Sequence, residues 1–152
     1  MKDTKQVIFS VGNEEYGLDI MLVNAIEKPI NIVKVPNSPA CIKGIINLRG
    51  DVIPVYSLRK KFGLPEIEAT EDTKLIVTKS RGVLLAYEVD AVKEIIELDS
   101  SQLNETPAIV RNDETAYMGA VANISGRMII LLDHDGIITN AEKVSIQSMK
   151  TE

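Results

Sequence analysis

The sequence predicts an all-β protein of two small barrels packed together, with little helix. Three observations carry this reading. Short apolar runs rich in Ile and Val recur along the chain and break at glycine-containing turns. The order hairpin, short apolar segment, proline-containing loop, hairpin occurs twice, on either side of the acidic and polar stretch at 64–73. Hydrophobic residues make up 45% of the 152 positions, but only 4% are aromatic and none is Trp, so the core must be aliphatic. Many short strands with frequent turns fit small barrels better than an α/β sheet. Each half is about the size at which a barrel is marginally stable, so the halves are expected to share a buried apolar face.

The elements follow in order. Residues 6–11 (QVIFSV) predict a strand, Gly12-Asn13-Glu14 a turn, and 15–20 a second strand in which Tyr16, Leu18 and Ile20 alternate with Gly17 and Asp19. Residues 21–26 are apolar without a clean period, so strand and helical turn stay open there. Pro36 and Pro39 with Asn37-Ser38 mark 33–39 as a loop. The stretch 43–63 (KGIINLRGDVIPVYSLRKKFG) reads as strand, tight turn, strand and short helical turn. Gly50 supplies the turn, Ser57 the helix start and Gly63 its end. Alternation puts Ile45, Asn47 and Arg49 on one face and Ile46 and Leu48 on the other. Pro54 inside the second strand implies an edge strand or a bulge.

Beyond 64–73 the pattern restarts. Residues 74–78 and 83–89 flank the turn Ser80-Arg81-Gly82, 91–98 continue as an apolar run, and 99–114 form a long polar loop. Residues 117–124 and 128–132 flank Ser125-Gly126 as a last hairpin. Gly44 and Gly50 in the first half correspond in this layout to Gly119 and Gly126 in the second.

Composition removes several function classes. The net charge of −5 gives no support to nucleic-acid binding, although Arg59-Lys60-Lys61 forms a local basic patch. No apolar run approaches the roughly 20 residues of a membrane-spanning helix, and the first residues lack a signal peptide's apolar region, so a cytoplasmic protein without direct membrane insertion is expected. Cys41 is alone, leaving no intramolecular disulfide and no cysteine metal cluster. His134, within Leu132-Asp133-His134-Asp135-Gly136, is the only histidine, and no second ligand stands at a workable spacing. Asp133 after an apolar run suggests a receiver-domain phospho-acceptor, but the alternating βα units of that fold are missing. There is no phosphate loop and no nucleophile elbow. The missing motifs shift the expectation toward a binding module, with no catalytic, cofactor or metal residue singled out. The second class kept open is a small β-barrel enzyme or ligand-binding protein with its site between the two barrels.

The segment GIINLRGDVIPVYSLRKKFG resembles the signature of the CheW-like domain family. The likeness extends through Tyr16-Gly17-Leu18-Asp19-Ile20, Val23, Pro36-Asn37-Ser38-Pro39-Ala40 and Ile42-Lys43-Gly44. It is looser in the second half. The resemblance implies two SH3-like five-stranded β-barrels over residues 1–140. The first falls at roughly 13–66 and the second at roughly 74–138, with the chain crossing near 65–73. The N-terminal strand or the C-terminal segment has room to cross over, and 141–152 form a polar tail.

It also implies a free-standing, non-catalytic adaptor. Such an adaptor couples the cytoplasmic tip of chemoreceptors (methyl-accepting chemotaxis proteins) to the regulatory domain of the histidine kinase CheA, within receptor arrays at the inner face of the membrane. Carried over residue by residue, Val23 and Ile26 match positions near the receptor-binding groove, and Gly44, Asn47, Arg49 and Gly50 match the signature that couples receptor and kinase. The family's usual Glu two residues after Val23, partner of the signature Arg, is here Ala25. Glu27 replaces it only if that segment is extended. The implied kinase surface lies on the second barrel, where no individual residue is singled out.

Overall fold

The computed structural model describes residues 2–112 and 115–137; the expected polar tail 141–152 lies outside them. Eleven strands occur among these residues: β1 (Thr4–Val11), β2 (Glu14–Asp19), β3 (Val23–Glu27), β4 (Ile42–Leu48), β5 (Asp51–Ser57), β6 (Lys74–Ser80), β7 (Val83–Val89), β8 (Ala91–Leu98), β9 (Leu103–Asn104), β10 (Met118–Ile124) and β11 (Arg127–Leu132). The helical elements bounded within the described residues are α1 (Leu58–Lys61), α2 (His134–Ile137) and three one-turn 3₁₀ segments. No described helix is long and apolar enough to cross a membrane.

The strands form a six-stranded sheet, β8-β1-β2-β11-β10-β9, and a five-stranded sheet, β3-β6-β7-β5-β4. The five-stranded sheet is drawn round on itself where the chain leaving β3 returns to β4. There Val33 and Ile45 exchange two backbone hydrogen bonds of 2.9 Å. In the other sheet the end strands β8 and β9 are consecutive in the chain, joined by the 3₁₀ turn Ser100–Gln102 with its Asp99–Gln102 capping box.

The two sheets repeat one plan. Each has two antiparallel hairpins joined by a parallel pair, β5 with β7 and β11 with β2, and a bulged strand at the edge. The parallel registers correspond residue for residue, Val55 against Ala86 and Leu131 against Gly17. Three hairpins turn on two residues with positive φ, Arg49-Gly50 (52° and 87°), Arg81-Gly82 (53° and 77°) and Ser125-Gly126 (49° and 85°). This is the twist-matched two-residue turn, which needs left-handed conformation twice. Gly50 thus corresponds to Gly126 as the sequence suggests. Gly119 corresponds instead to Lys43, because the extra residue at each bulge, between Ile42 and Gly44 and between Met118 and Ala120, falls there.

The division of the chain differs from the expected one. Hairpin β1–β2 belongs with β8–β11, and hairpin β6–β7 belongs with β3–β5. The chain changes sheet at 20–22 and at Asp90, whereas 64–73 links two strands of the same sheet. The first and second sequence halves have exchanged their leading hairpins, so neither 13–66 nor 74–138 contains a complete sheet. Pro54 is also resolved differently. β5 lies inside its sheet, but its pairing with β7 begins only at Val55, so Pro54 has a strand on one side alone and interrupts no ladder there.

Alternation on both sheets creates three apolar clusters. Ile46, Ile53, Val55, Leu75, Val77 and Ala86 fill the five-stranded sheet, and Ile8, Leu98, Ala122, Ile129 and Leu131 fill the six-stranded one. The largest cluster lies between them and draws on both, including Val7, Phe9, Tyr16, Leu18, Ile76 and Leu85. All six aromatic residues belong to this seam. Phe9, Tyr16, Phe62 and Tyr117 follow one another at ring separations of 5.9, 4.6 and 4.9 Å, and Tyr56 meets Tyr87 edge-on at 5.8 Å. Burial pushes the Tyr16 hydroxyl up to about 12, with Tyr117 and Glu14 adding to it. The space where a site between the barrels was an alternative is thus packed with side chains.

His134 stands at the edge of this seam. Its Nδ1 is 2.7 Å from the Tyr87 hydroxyl, and the Tyr56 hydroxyl donates to the Ile137 carbonyl at 3.2 Å. Two tyrosines of the five-stranded sheet therefore hold α2, which follows the last strand of the other. His134→Ala is expected to cost about 1–3 kcal/mol, since it removes a partner of the buried Tyr87 hydroxyl together with an edge-on ring contact, and to leave partner binding unchanged. Denaturant unfolding beside a binding titration checks both.

Candidate interaction surface

The six singled-out residues all fall on β3, β4 and the turn after β4, the two end strands that the Val33–Ile45 bridge brings together. Val23 and Ile26 are three apart, and plain alternation would send them to opposite faces. A bulge intervenes. Val23 pairs with Thr78 and Ala25 with Val77, leaving Asn24 as the extra residue, and Ile26 then pairs with Ile76. Thr78 and Ile76 share a face of β6, so Val23 and Ile26 do too. It is the outer face: Ile76 belongs to the seam cluster and Val23 packs against it, whereas Ala25 packs into the interior. Val23 is half-buried, and Ile26 keeps 40% of its surface exposed.

Gly44 is buried in β4 with φ 154°, and a Cβ there would lie 2.2 Å from the Val33 carbonyl oxygen. Only a residue without a side chain lets the returning chain lie against β4 so closely. Asn47 is exposed, and its Oδ1 accepts the Gly50 N–H at 3.2 Å, stabilising the turn from within. Arg49 is not a strand residue sharing a face with Ile45, as alternation suggested. It occupies the left-handed first position of the turn, with its side chain 74% exposed.

Arg49 has an acidic partner. Its guanidinium donates to Glu27 Oε1 at 3.1 Å. The segment that left strand and turn open is extended over Val23–Glu27, so Glu27 lies on the Ala25 side of β3 and reaches across to the turn. The pair joins the two end strands. Exposed pairs of this kind contribute roughly 0–1 kcal/mol. Arg49→Ala is thus expected to change folding stability by less than about 1 kcal/mol, which a denaturation midpoint checks.

A second charged cluster was not singled out from sequence. Asp90 is the one residue between β7 and β8, where the chain changes sheet. Its N–H donates to the Ser10 carbonyl at 2.9 Å, and its carboxylate accepts from the Gly12 N–H at 2.8 Å. Arg59 of α1 donates to the same carboxylate twice, at 2.9 and 2.7 Å, and to the Pro65 carbonyl at 2.9 Å. One carboxylate thus collects donors from both sheets. A lone Asp between the apolar runs ending at Val89 and starting at Ala91 is the signal that marks it.

Burial pushes the Asp90 carboxyl up, but the Arg59 hydrogen bonds, the Gly12 N–H and the Arg59 charge outweigh it and hold the carboxyl below its ordinary value. A carboxyl so depressed stabilises the fold fully above the ordinary carboxylate range, and the contribution is lost as pH falls through the folded value. Asp90→Asn is therefore expected to lower stability at neutral pH by about 1–3 kcal/mol. The gap to wild type should close as pH falls below about 4. Unfolding titrations across that range measure it.

No group of His, Cys, Asp and Glu capable of holding a metal occurs among the described residues. What β3 and β4 offer is a partly exposed apolar strip beside an exposed polar turn, the makings of a protein-binding surface.

Comparison with known proteins agrees in kind. The family model of the CheW-like domain matches residues 5–142. The chain is 31% identical to a chemotaxis protein CheW of Klebsiella aerogenes, over 94% of this chain and 86% of that one. It is also 31% identical to a chemotaxis protein CheW of Bacillus subtilis, over 95% and 90%. The crystal structure of a scaffolding protein, TtCheW, from Thermoanaerobacter tengcongensis superposes with a TM-score of 0.83. It is 35% identical and covers 91% of this chain and 94% of its own.

Proposed function

The chain belongs to the CheW-like domain family and is a non-catalytic coupling adaptor of chemotaxis; from its geometry we propose which surface it couples through. The outer face of β3 receives the cytoplasmic tip of a chemoreceptor, with Val23 and Ile26 as apolar anchors for one face of a receptor helix. The observation that carries this is the bulge at Asn24, which puts both side chains on one face, with Val23 at the rim of the seam. The turn Asn47-Leu48-Arg49-Gly50 stands at the end of the neighbouring strand and acts in coupling to the regulatory domain of the kinase CheA. Gly44 acts indirectly, by letting the 28–41 segment lie against β4.

The test is a pair of titrations, one with a receptor cytoplasmic-tip fragment and one with the kinase regulatory domain. Both are expected to bind, and receptor binding alone should respond to substitution at Ile26. Ile26→Ala removes part of an anchor and is expected to weaken the receptor complex by about 1–2 kcal/mol. Unchanged receptor affinity together with lost kinase affinity would reverse the assignment of faces.

A further inference from the structure

Charge is distributed unevenly along the chain. Residues 28–61 hold seven lysines and arginines against the single Asp51, a net charge of +6 in a chain of −5, so the remainder carries −11. These residues are the segment leading from β3 into β4, β4 and β5 themselves, and α1. Three of the seven charges are matched within the molecule: Lys43 by Glu88 at 2.8 Å, Arg49 by Glu27 and Arg59 by Asp90. Lys28, Lys34, Lys60 and Lys61 have no acidic partner among the described residues.

Two of these unmatched lysines face one cleft of about 400 Å³, within the roughly 300–1,000 Å³ range of ligand sites. Lys34 and Lys60 line it beside the paired Lys43, Val35 and Ile67 supply apolar surface, and the buried Ile42 ties its floor to the seam core. Ile67 is 46% exposed, an uncovered apolar side chain next to uncovered positive charge. The acid in the lining, Glu66, is engaged by Ser57 and lies 3.6 Å from Lys43 Nζ, and among the described residues no ion pair joins it to Lys34 or Lys60.

We propose that this cleft binds an acidic peptide segment carrying apolar side chains, through Lys34 and Lys60 to its carboxylates and through Val35 and Ile67 to its apolar side chains. The charge supplies approach and orientation, and the apolar surface supplies selectivity over acidic surfaces in general. None of the cleft's residues belongs to the Val23–Ile26 face, so the inference stands apart from the receptor reading and survives its failure.

The probe is a fluorescein-labelled peptide Asp-Leu-Glu-Asp-Leu-Glu-Asp, titrated with the full chain and followed by anisotropy. A control peptide has serine in place of leucine. Binding is expected with the first peptide, weaker by at least about tenfold with the control. It should weaken equally in the double variant Lys34→Glu/Lys60→Glu and fall on raising the salt to about 0.5 M, where the screening length is only a few ångströms. Both lysines are exposed, and an unchanged melting temperature confirms that the variant folds. No peptide binding, equal binding by the double variant, or equal binding of the serine control would each overturn the proposal. Co-sedimentation with phosphatidylglycerol-containing vesicles, sensitive to the same variant but with no peptide binding, would assign the cleft to a lipid surface instead.

Discussion

Gly44→Ala is expected to lose more stability than any other single methyl addition at the candidate surface. The added Cβ would stand 2.2 Å from the Val33 carbonyl oxygen and 2.9 Å from its carbonyl carbon. These are backbone atoms, which do not swing away as a side-chain end does. Relief requires the 28–41 segment to lift from β4, breaking both Val33–Ile45 hydrogen bonds that close the five-stranded sheet. Lost hydrogen bonds at about 1 kcal/mol each, added to an overpacking cost of about 1–3 kcal/mol, give about 3–5 kcal/mol in all. Gly50→Ala is the control. Nothing lies within 4 Å of its Cβ, so only the positive φ of 87° opposes it, at about 1 kcal/mol. Urea midpoints for the two variants separate the readings. A Gly44→Ala midpoint no lower than that of Gly50→Ala would mean that the segment is not held against β4.

Gly44 also shows how far the sequence could be read. Its place in a segment of familiar spacing singled it out, but the reason is a non-local contact from Val33, eleven residues upstream, that no local pattern encodes. The same limit explains the exchanged hairpins. Alternation and turn residues locate β1–β2 and β6–β7 almost to the residue, because those signals depend only on neighbours in the chain. Which sheet each hairpin joins is decided by packing at the seam, and a strand's own side chains do not state its partner. The correspondence of Gly50 with Gly126 was legible because both serve a two-residue turn. Pairing Gly119 with Gly44 missed by one residue, since a bulge adds a residue without a sequence mark of its own. The Arg49–Glu27 pair depended on 23–27 being extended, and five residues of mixed apolar character do not decide that.

Val23→Glu is the prediction with the largest effect on function. Val23 packs against the seam cluster while remaining partly exposed, and the Asn24 bulge puts Ile26 beside it on the same face. In the free protein a glutamate there can turn its carboxylate to water, so folding is expected to survive. In the receptor complex that carboxylate would be covered by an apolar helix face with no cation to meet it, a penalty of several kcal/mol. Each ~1.4 kcal/mol is tenfold, so receptor affinity should fall by two or more orders of magnitude. Arg49→Ala should behave differently. Its guanidinium is largely exposed and its acidic partner among the described residues is Glu27, so stability and binding to an isolated receptor fragment should change little. Kinase activation in the reconstituted ternary complex should drop, because the turn loses the planar group that can hold a partner carboxylate in register. Two titrations and one kinase assay decide the matter. Normal receptor binding by Val23→Glu would move the receptor site away from β3, and an Arg49→Ala variant silent in all three would leave Arg49 a solvated turn residue.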